Sequence, residues 1–312
     1  MKVIVFGGSG FLGSHVADEL TKKSFDVSIY DTKESKYLSS QQKMIVGSIL
    51  DKKKVKDAVK GCEYIYNFAA VAGIEDALLD PYRAIEINIL GNTNILEACR
   101  SHKVKRFIFA SSVYVYSDLA PFYRSSKQAC ELIIEDYQKS FGIDYTILRY
   151  GSLYGKRANE FNFIYKIIKK AIEEGKIIRK GDGEEIRDYI NVLDAARCSV
   201  DILSDDFINE SVMLTGTQST KIKDLLSMIK EMFKGKIDIE YKPVKEDGHY
   251  EITPYVFRPK VAKKFVSNYY HDLGQGILDV IYDVYSELDK NSKIIKNVEK
   301  LIESQRGVDE TN

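Results

Sequence analysis

At 312 residues, with 46 Lys plus Arg against 46 Asp plus Glu, the chain is long enough for one large domain or two lobes. It carries no net charge to draw in nucleic acid or an anionic membrane. Cys62, Cys99, Cys130 and Cys198 lack the close spacing of a zinc site or a disulfide framework and read as buried, reduced thiols of a cytoplasmic protein. With no signal peptide recognisable and no apolar run near the roughly 18 residues of a membrane span, a soluble protein is expected.

From the start, strand-length apolar runs alternate with helix-like segments. "KVIVFG" precedes the helical "FLGSHVADELTKKS", "DVSIYD" and "KMIVG" precede "KKVKDAVKG", and "EYIYNFAA" precedes "AIEINILGNTNILEACRSH". "RFIFASS" is followed by "SKQACELIIEDYQKSFG" and then by "YTILRYG". Strands rich in Val, Ile, Phe and Tyr suit burial on both faces, and their alternation with helices predicts a parallel α/β sheet of the Rossmann type, wrapped by helices.

Past Gly151 the pattern loosens. Residues 161–174 carry Ile164, Ile167, Ile168, Ala171 and Ile172 at helical spacing, with Gly175 placed to end the helix. "RDYINVLDAARCSVDIL" reads as a return to the sheet, and "KIKDLLSMIKEMFKG" with "KIDIEYKP" as a smaller, discontinuous C-terminal lobe. The expected division is 1–150 plus about 188–208 for the dinucleotide-binding domain, and 151–187 plus 209–285 for the substrate lobe. Ile294, Ile295, Val298, Leu301 and Ile302 predict an amphipathic helix within a 286–312 tail.

The first turn carries the first chemical signal. Gly7, Gly10 and Gly13 lie between the first strand and first helix, where glycine lets backbone amides approach a pyrophosphate at the positive helix N-terminus. The second strand ends at Asp31, where a carboxylate accepts from an adenosine ribose and repels a 2′-phosphate. NAD is therefore expected rather than NADP. A third signal, "FYRSSK", puts Tyr123 and Lys127 on one helix face. Taken alone it is weak, because this composition yields about three such pairs by chance.

The three-residue glycine spacing resembles that of the extended short-chain dehydrogenases/reductases. "NFAA", "NILGNTNILEA", "FASSVYVYS", "LRYGSLYGKR" and "GDGEEIRDYINVLDAA" follow in the order of the nucleotide-sugar epimerases and dehydratases of that family, so the resemblance spans roughly 1–285. It implies that Ser112, Tyr123 and Lys127 are catalytic, Tyr123 being the base that removes a proton from a sugar hydroxyl. It implies cofactor contacts from Gly7, Gly10, Phe11, Leu12, Gly13, Asp31, Ser48, Ile49, Ala69, Ala70, Asn88, Lys127 and Tyr150. Substrate contacts fall to Tyr114, Ser152, Arg187 and Arg258, and no metal is implied. An unperturbed tyrosine, with pKa about 10, is a poor base at neutral pH, so Lys127 and the positive nicotinamide ring of NAD⁺ are together expected to lower it.

Several positions depart from the family pattern. Ser48 replaces the usual Asp beside adenine, Ser152 replaces the usual Asn, the C-terminal Arg-x-Gly-Asp-like segment is not recognisable, and only six residues separate Tyr116 from Tyr123. Val113 and Tyr114 stand where a 4,6-dehydratase would have Asp-Glu, and Tyr114 where a decarboxylase favours Glu. By elimination the resemblance implies an NAD-dependent epimerase, at C4 of a nucleotide sugar, working as a homodimer through helices near 88–101 and 125–140. The alternatives are an NAD-dependent dehydrogenase or reductase of the same substrate class, and a noncatalytic NAD sensor.

Overall fold

The computed structural model describes residues 1–217, 219–243, 263–266 and 270–287. Arg258 and the stripe from Ile294 to Ile302 lie outside them.

The first half opens with β1 (Lys2–Phe6), α1 (Phe11–Lys22), β2 (Asp26–Asp31), β3 (Gln42–Val46), α2 (Lys52–Val59) and β4 (Tyr64–Asn67). It continues with α3 (Ile74–Leu79), α4 (Pro81–Ile85), a π-helical turn (Glu86–Gly91) and α5 (Asn92–His102). β5 (Arg106–Ser112), a 3-10 turn (Val113–Tyr116), α6 (Tyr123–Phe141) and β6 (Tyr145–Tyr150) complete it. The second half runs β7 (Ser152–Tyr154), α7 (Phe163–Glu174), β8 (Lys176–Lys180), β9 (Ile186–Asn191), α8 (Val192–Asp201) and β10 (Glu210–Leu214). Then come β11 (Ser219–Lys221), α9 (Ile222–Met232), β12 (Asp238–Lys242), β13 (Lys263–Lys264) and α10 (Leu273–Glu287).

Eight strands form one sheet in the order β13-β10-β6-β5-β4-β1-β2-β3, and the pairs are parallel. Its 3-2-1-4-5-6 core is the order of a dinucleotide-binding Rossmann sheet, with the ligand crevice where β1 parts β2 from β4. Each face is covered by helices. Val16, Leu20, Ala195 and Val200 of α1 and α8 pack on one face, and Val55, Ile95, Leu96 and Ile134 of α2, α5 and α6 on the other.

The second lobe has its own core. Ile164, Ile168, Leu225, Ile229, Ile277 and Ile281 bring α7, α9 and α10 together beside the small sheets β11-β9-β7 and β12-β8. α7 realises its predicted stripe and ends at Gly175 in the left-handed conformation, φ 70°.

Two boundaries differ from expectation. β10, assigned from the sequence to the lobe, pairs in parallel with β6 in the large sheet, while β9 joins the lobe's sheet with β7 and β11. The return to the large sheet is therefore made by α8, which lies against α1, and by β10, and β13, likewise assigned from the sequence to the lobe, adds the edge strand beside β10. A crossover helix must be followed by the strand it delivers, so the sheet segment extends to 214 rather than 208. Among the cysteines, Cys99, Cys130 and Cys198 are buried, but Cys62 is only partly so, because it sits in the turn after α2. Among the described residues, no helix is long and apolar enough to cross a membrane.

Candidate active site

A cleft of about 480 Å³ opens at the C-terminal ends of β1, β2, β4, β5 and β6. Its floor is the turn between β1 and α1. Gly7 holds φ +75°, and a Cβ there would come within 2.6 Å of the Ala69 amide nitrogen. A Cβ on Gly13 would sit 2.3 Å from the Gly7 carbonyl. A side chain at Gly7 would push the turn off the residues that follow β4, and one at Gly13 would push α1 off the turn, which is why the chain needs glycine at both. The first-turn amides of α1, which a helix leaves without internal partners, face this cleft at Phe11, Leu12 and Gly13.

Asp31 closes one end. Its Oδ2 accepts from the Ser9 amide at 3.0 Å, which fixes the carboxylate at the tip of β2 beside the glycine turn. Ser48 and Ile49 form the adjoining wall. The Ser48 hydroxyl accepts from the Leu50 amide at 3.2 Å, and Ile49 fills the space that a side chain at Gly91 would occupy. Ala69 and Ala70 line the middle, and Tyr150 lines the far side with its hydroxyl turned away onto Ser199, 2.6 Å distant.

Asn88 is placed differently from expectation. It is buried, its Oδ1 accepts from the Val71 amide at 2.7 Å, and its Nδ2 donates to the Val71 carbonyl and the Ser126 hydroxyl. Its amide is thus spent on pinning the 69–72 loop to α6, and the loop, rather than Asn88, lines the cleft. The π-helical turn puts Asn88 there by adding a residue to the helical repeat. Arg83 and Ile87, near the same turn, do line the cleft, and neither was singled out from the sequence.

At the inner end stand Ser112, Tyr123 and Lys127. Tyr123 is the first residue of α6, and the residue before it, Phe122, adopts φ 61° and ψ −47°. The Tyr123 amide donates to the Pro121 carbonyl at 2.7 Å, which makes Phe122 the centre of a strained γ-turn. The short connection from Tyr116 thus reverses into α6 within a few residues. The Ser112 hydroxyl hydrogen-bonds the Tyr123 phenol, favouring its ionised form, while burial outweighs this and pushes the phenol above its ordinary value. Lys127 is buried, donates to the Ala110 carbonyl at 2.7 Å, and lies 4.8 Å from the Phe109 ring centroid and 6.0 Å from that of Tyr123. Its ammonium faces the phenol's ring, while the Ser112 hydrogen bond draws the phenol toward ionisation. Burial lowers Lys127 to about 8.

A second cavity of about 420 Å³ adjoins the cleft across Ala72 and Leu153, which line both. Tyr114, Ser152 and Arg187, the three described residues expected to contact substrate, all line it, and the Tyr114 ring stands edge-on to Tyr123 at 6.2 Å. Arg187 is buried on β9. Arg179, unremarked in the sequence, also lines the cavity, paired with Glu185 at 2.8 Å and lying over the Phe163 ring. The helical spacing that revealed α7 gave no hint of Arg179, because it sits on a five-residue strand.

These features define a Rossmann-fold protein with a dinucleotide cleft that opens, beside a Ser-Tyr-Lys cluster, onto a second cavity lined by Lys166, Arg179 and Arg187 and also by Glu75, Asp76 and Glu160. The chain belongs to the NAD dependent epimerase/dehydratase family, whose model matches residues 3–212. It is an NAD-dependent enzyme of the extended short-chain dehydrogenase/reductase type. It is 31% identical to a UDP-glucose 4-epimerase of Lactobacillus helveticus over 62% of this chain and 69% of that one. It is 28% identical to a UDP-N-acetyl-alpha-D-glucosaminuronate decarboxylase of Bacillus cytotoxicus over 78% and 83%. The UDP-glucose 4-epimerase of Thermotoga maritima, solved with UDP-glucose, shares the fold with a TM-score of 0.79 at 24% identity, covering 93% of this chain and 100% of that one.

The cleft fits NAD: glycines where a pyrophosphate must approach backbone, a carboxylate at the tip of β2 and a buried lysine at the opposite end. Among the described residues, no group of three His, Cys, Asp or Glu side chains is arranged to hold a metal.

Proposed function

We propose that the chain is an epimerase that inverts C4 of a nucleoside-diphosphate sugar, with Tyr123 as its base. The observation that carries this reading is the Ser112–Tyr123 hydrogen bond at the junction of the dinucleotide cleft and the second cavity. Relatives of similar identity are named for epimerisation and for decarboxylation, so overall likeness does not select the reaction. The turn after Ser112 supports the epimerase reading. It presents buried Val113 and the Tyr114 ring beside Tyr123, and none of its residues, Val113 to Tyr116, carries a carboxylate for water loss or decarboxylation.

When bound, NAD supplies the acceptor and donor for the hydrogen of the sugar carbon. The protein supplies the rest. Asp31 accepts from the adenosine ribose, the Phe11 and Leu12 amides meet the pyrophosphate, and Ile49 with Ser48 borders the base. Tyr123 takes the proton of the sugar hydroxyl and returns it to the opposite epimer. Ser112 orients that hydroxyl and stabilises the phenolate, and Lys127 contributes positive charge and a donor for the second ribose. Because burial keeps Tyr123 protonated in the protein itself, ionisation awaits further positive charge in the cleft. Arg187 forks onto the diphosphate, with Tyr114 and Ser152 nearer the sugar.

A homodimer belongs to the same reading. Leu90 and Leu132 are 55% and 62% exposed on the π-helical turn and α6, where two copies would pair. The outer face of α5 carries Thr93, Asn94, Glu97 and Arg100, so the apolar contact centres on the turn and α6. A cytoplasmic setting is consistent with four unpaired cysteines.

The test is a panel of UDP-glucose, UDP-N-acetylglucosamine and UDP-glucuronate, followed by proton NMR of the sugar and by absorbance at 340 nm. A C4 epimer formed without net NADH supports the reading. Stoichiometric NADH would identify a dehydrogenase, and binding without conversion of any sugar would remove the catalytic assignment.

A further inference from the structure

Behind the Ser112–Tyr123 contact lies a closed polar network. Glu131 stands one helical turn beyond Lys127 and two beyond Tyr123, on the same face of α6. It is 5% exposed, as is Arg149, and Ser111 is 4% exposed. Glu131 Oε1 accepts from the Ser111 hydroxyl at 2.6 Å and from Arg149 Nε at 3.0 Å, and Oε2 accepts from Arg149 Nη2 at 2.8 Å. Arg149 Nη1 then donates to the Tyr116 hydroxyl at 2.7 Å. The four partners lie on α6, β5, β6 and the 3-10 turn, and each sits next to or near a residue of the reacting end: Ser111 precedes Ser112, Arg149 precedes Tyr150, and Tyr116 shares a turn with Tyr114.

We propose that Glu131 is a positioning residue for Tyr123 and Lys127: its carboxylate, gripped by Ser111 and Arg149, fixes the rotation of α6 against β5 and β6. The inference rests on the reading of Tyr123 and Lys127 as the reacting pair. A bidentate carboxylate–guanidinium pair is directional, so a small roll of α6 breaks it. The same roll would draw Tyr123 from Ser112. A buried pair of this kind adds little net stability compared with apolar residues of similar size, so its geometric effect is the distinguishing one.

Glu131 also acts on Lys127 electrostatically. The ionisable groups around Lys127 are Tyr123, Cys130 and Glu131 on α6, with Arg149 of β6 behind Glu131. β5 presents the Ala110 carbonyl and the Phe109 ring, and the π-helical turn presents Asn88 through Ser126. Glu131 is among the charges that favour the ammonium against burial.

The experiment compares wild type, E131Q, S111A and the double variant E131L/R149M as full chains. Turnover is measured with NAD and the sugar that wild type accepts, thermal unfolding is followed, and the pH midpoint of Lys127 carbamylation by cyanate is read from peptide mass. E131Q is expected to lose at least about tenfold in kcat with KM changed less than about twofold, and its Lys127 midpoint should move to lower pH. E131L/R149M should regain wild-type unfolding without regaining kcat. A double variant as active as wild type would reduce the network to a structural role and overturn the proposal. Should E131Q and the double variant fail to fold, S111A decides, since it leaves the ion pair intact: a several-fold loss of kcat supports the proposal and an unchanged kcat overturns it. If wild type converts no nucleotide sugar, the epimerase reading fails by itself. The carbamylation midpoint still tests Glu131, and an unmoved midpoint in E131Q then counts against it.

Discussion

The dinucleotide cleft and the second cavity are built in different ways. The cleft is mostly backbone at the ends of parallel strands: a turn whose glycines admit no Cβ, first-turn helix amides, and a loop pinned through Asn88. The cavity is mostly side chains, brought from β7, α7, β8 and β9 by a separate core and met by residues 72–76 and Tyr114. Backbone-built sites are constrained by the fold and vary little in what they hold. Side-chain-built sites change with each substitution, which fits relatives of one fold being named for different sugars and reactions.

The sharpest way to break this contrast is at the junction. Tyr123→Phe removes the ionisable oxygen and keeps the ring, so turnover should fall by about 10²- to 10⁴-fold while NAD affinity, measured by calorimetry, stays within about twofold. A variant with near wild-type turnover would show that the proton leaves by another route. In the cavity, Arg187→Leu should weaken UDP binding by about 10- to 100-fold and leave NAD binding unchanged. Parallel losses of both ligands would mean that the two sites are not separable.

Lys127 tests how much strain the cleft holds. Its ammonium is buried and lowered from 10.5 to about 8, a shift equivalent to about 3 kcal/mol against folding. Below pH 8 the lysine is charged in the folded and unfolded chains, and the full cost is present. Between pH 8 and 10.5 the folded chain releases the proton first, so the cost fades as pH rises, and above 10.5 it is gone. After allowance for the lost Ala110 bond, cofactor-free Lys127→Met should be more stable than wild type by about 2 kcal/mol at pH 7 in urea, with the gap closing by pH 10.5. A less stable variant at pH 7 would contradict the burial argument. The smallest effect is expected at the rim, where Asp31→Ala should narrow the preference for NAD over NADP by roughly tenfold. Equal wild-type affinities for the two would defeat the assignment of Asp31.

What the sequence made legible follows the same division. β1, the glycine turn, α1 and Asp31 are contiguous, and strand alternation with glycine spacing exposes them directly. Tyr123 and Lys127 share one helix, so their spacing survives into the structure. Asn88 was misplaced because a π-helical turn shifts the helical repeat, and no residue pattern in "EINILG" announces it. Glu131 and Arg149 meet across 18 positions through a strand and a helix, and Arg179 meets the cavity from a lobe whose strands are three to six residues long. The excursion of β10 back to the large sheet was hidden for a related reason: five residues of "ESVML" look alike in either sheet.

The central claim is that one carbon of a nucleotide sugar is oxidised and restored within the junction, with Tyr123 moving the hydroxyl proton. Incubating the protein and NAD with an accepted nucleotide sugar deuterated at C4, and following the label by NMR and mass spectrometry, tests it most directly. The account predicts that deuterium remains at C4 in both epimers while absorbance at 340 nm stays level. Loss of the label to solvent during epimerisation would show that C4 exchanges its hydrogen as a proton, and would contradict the account.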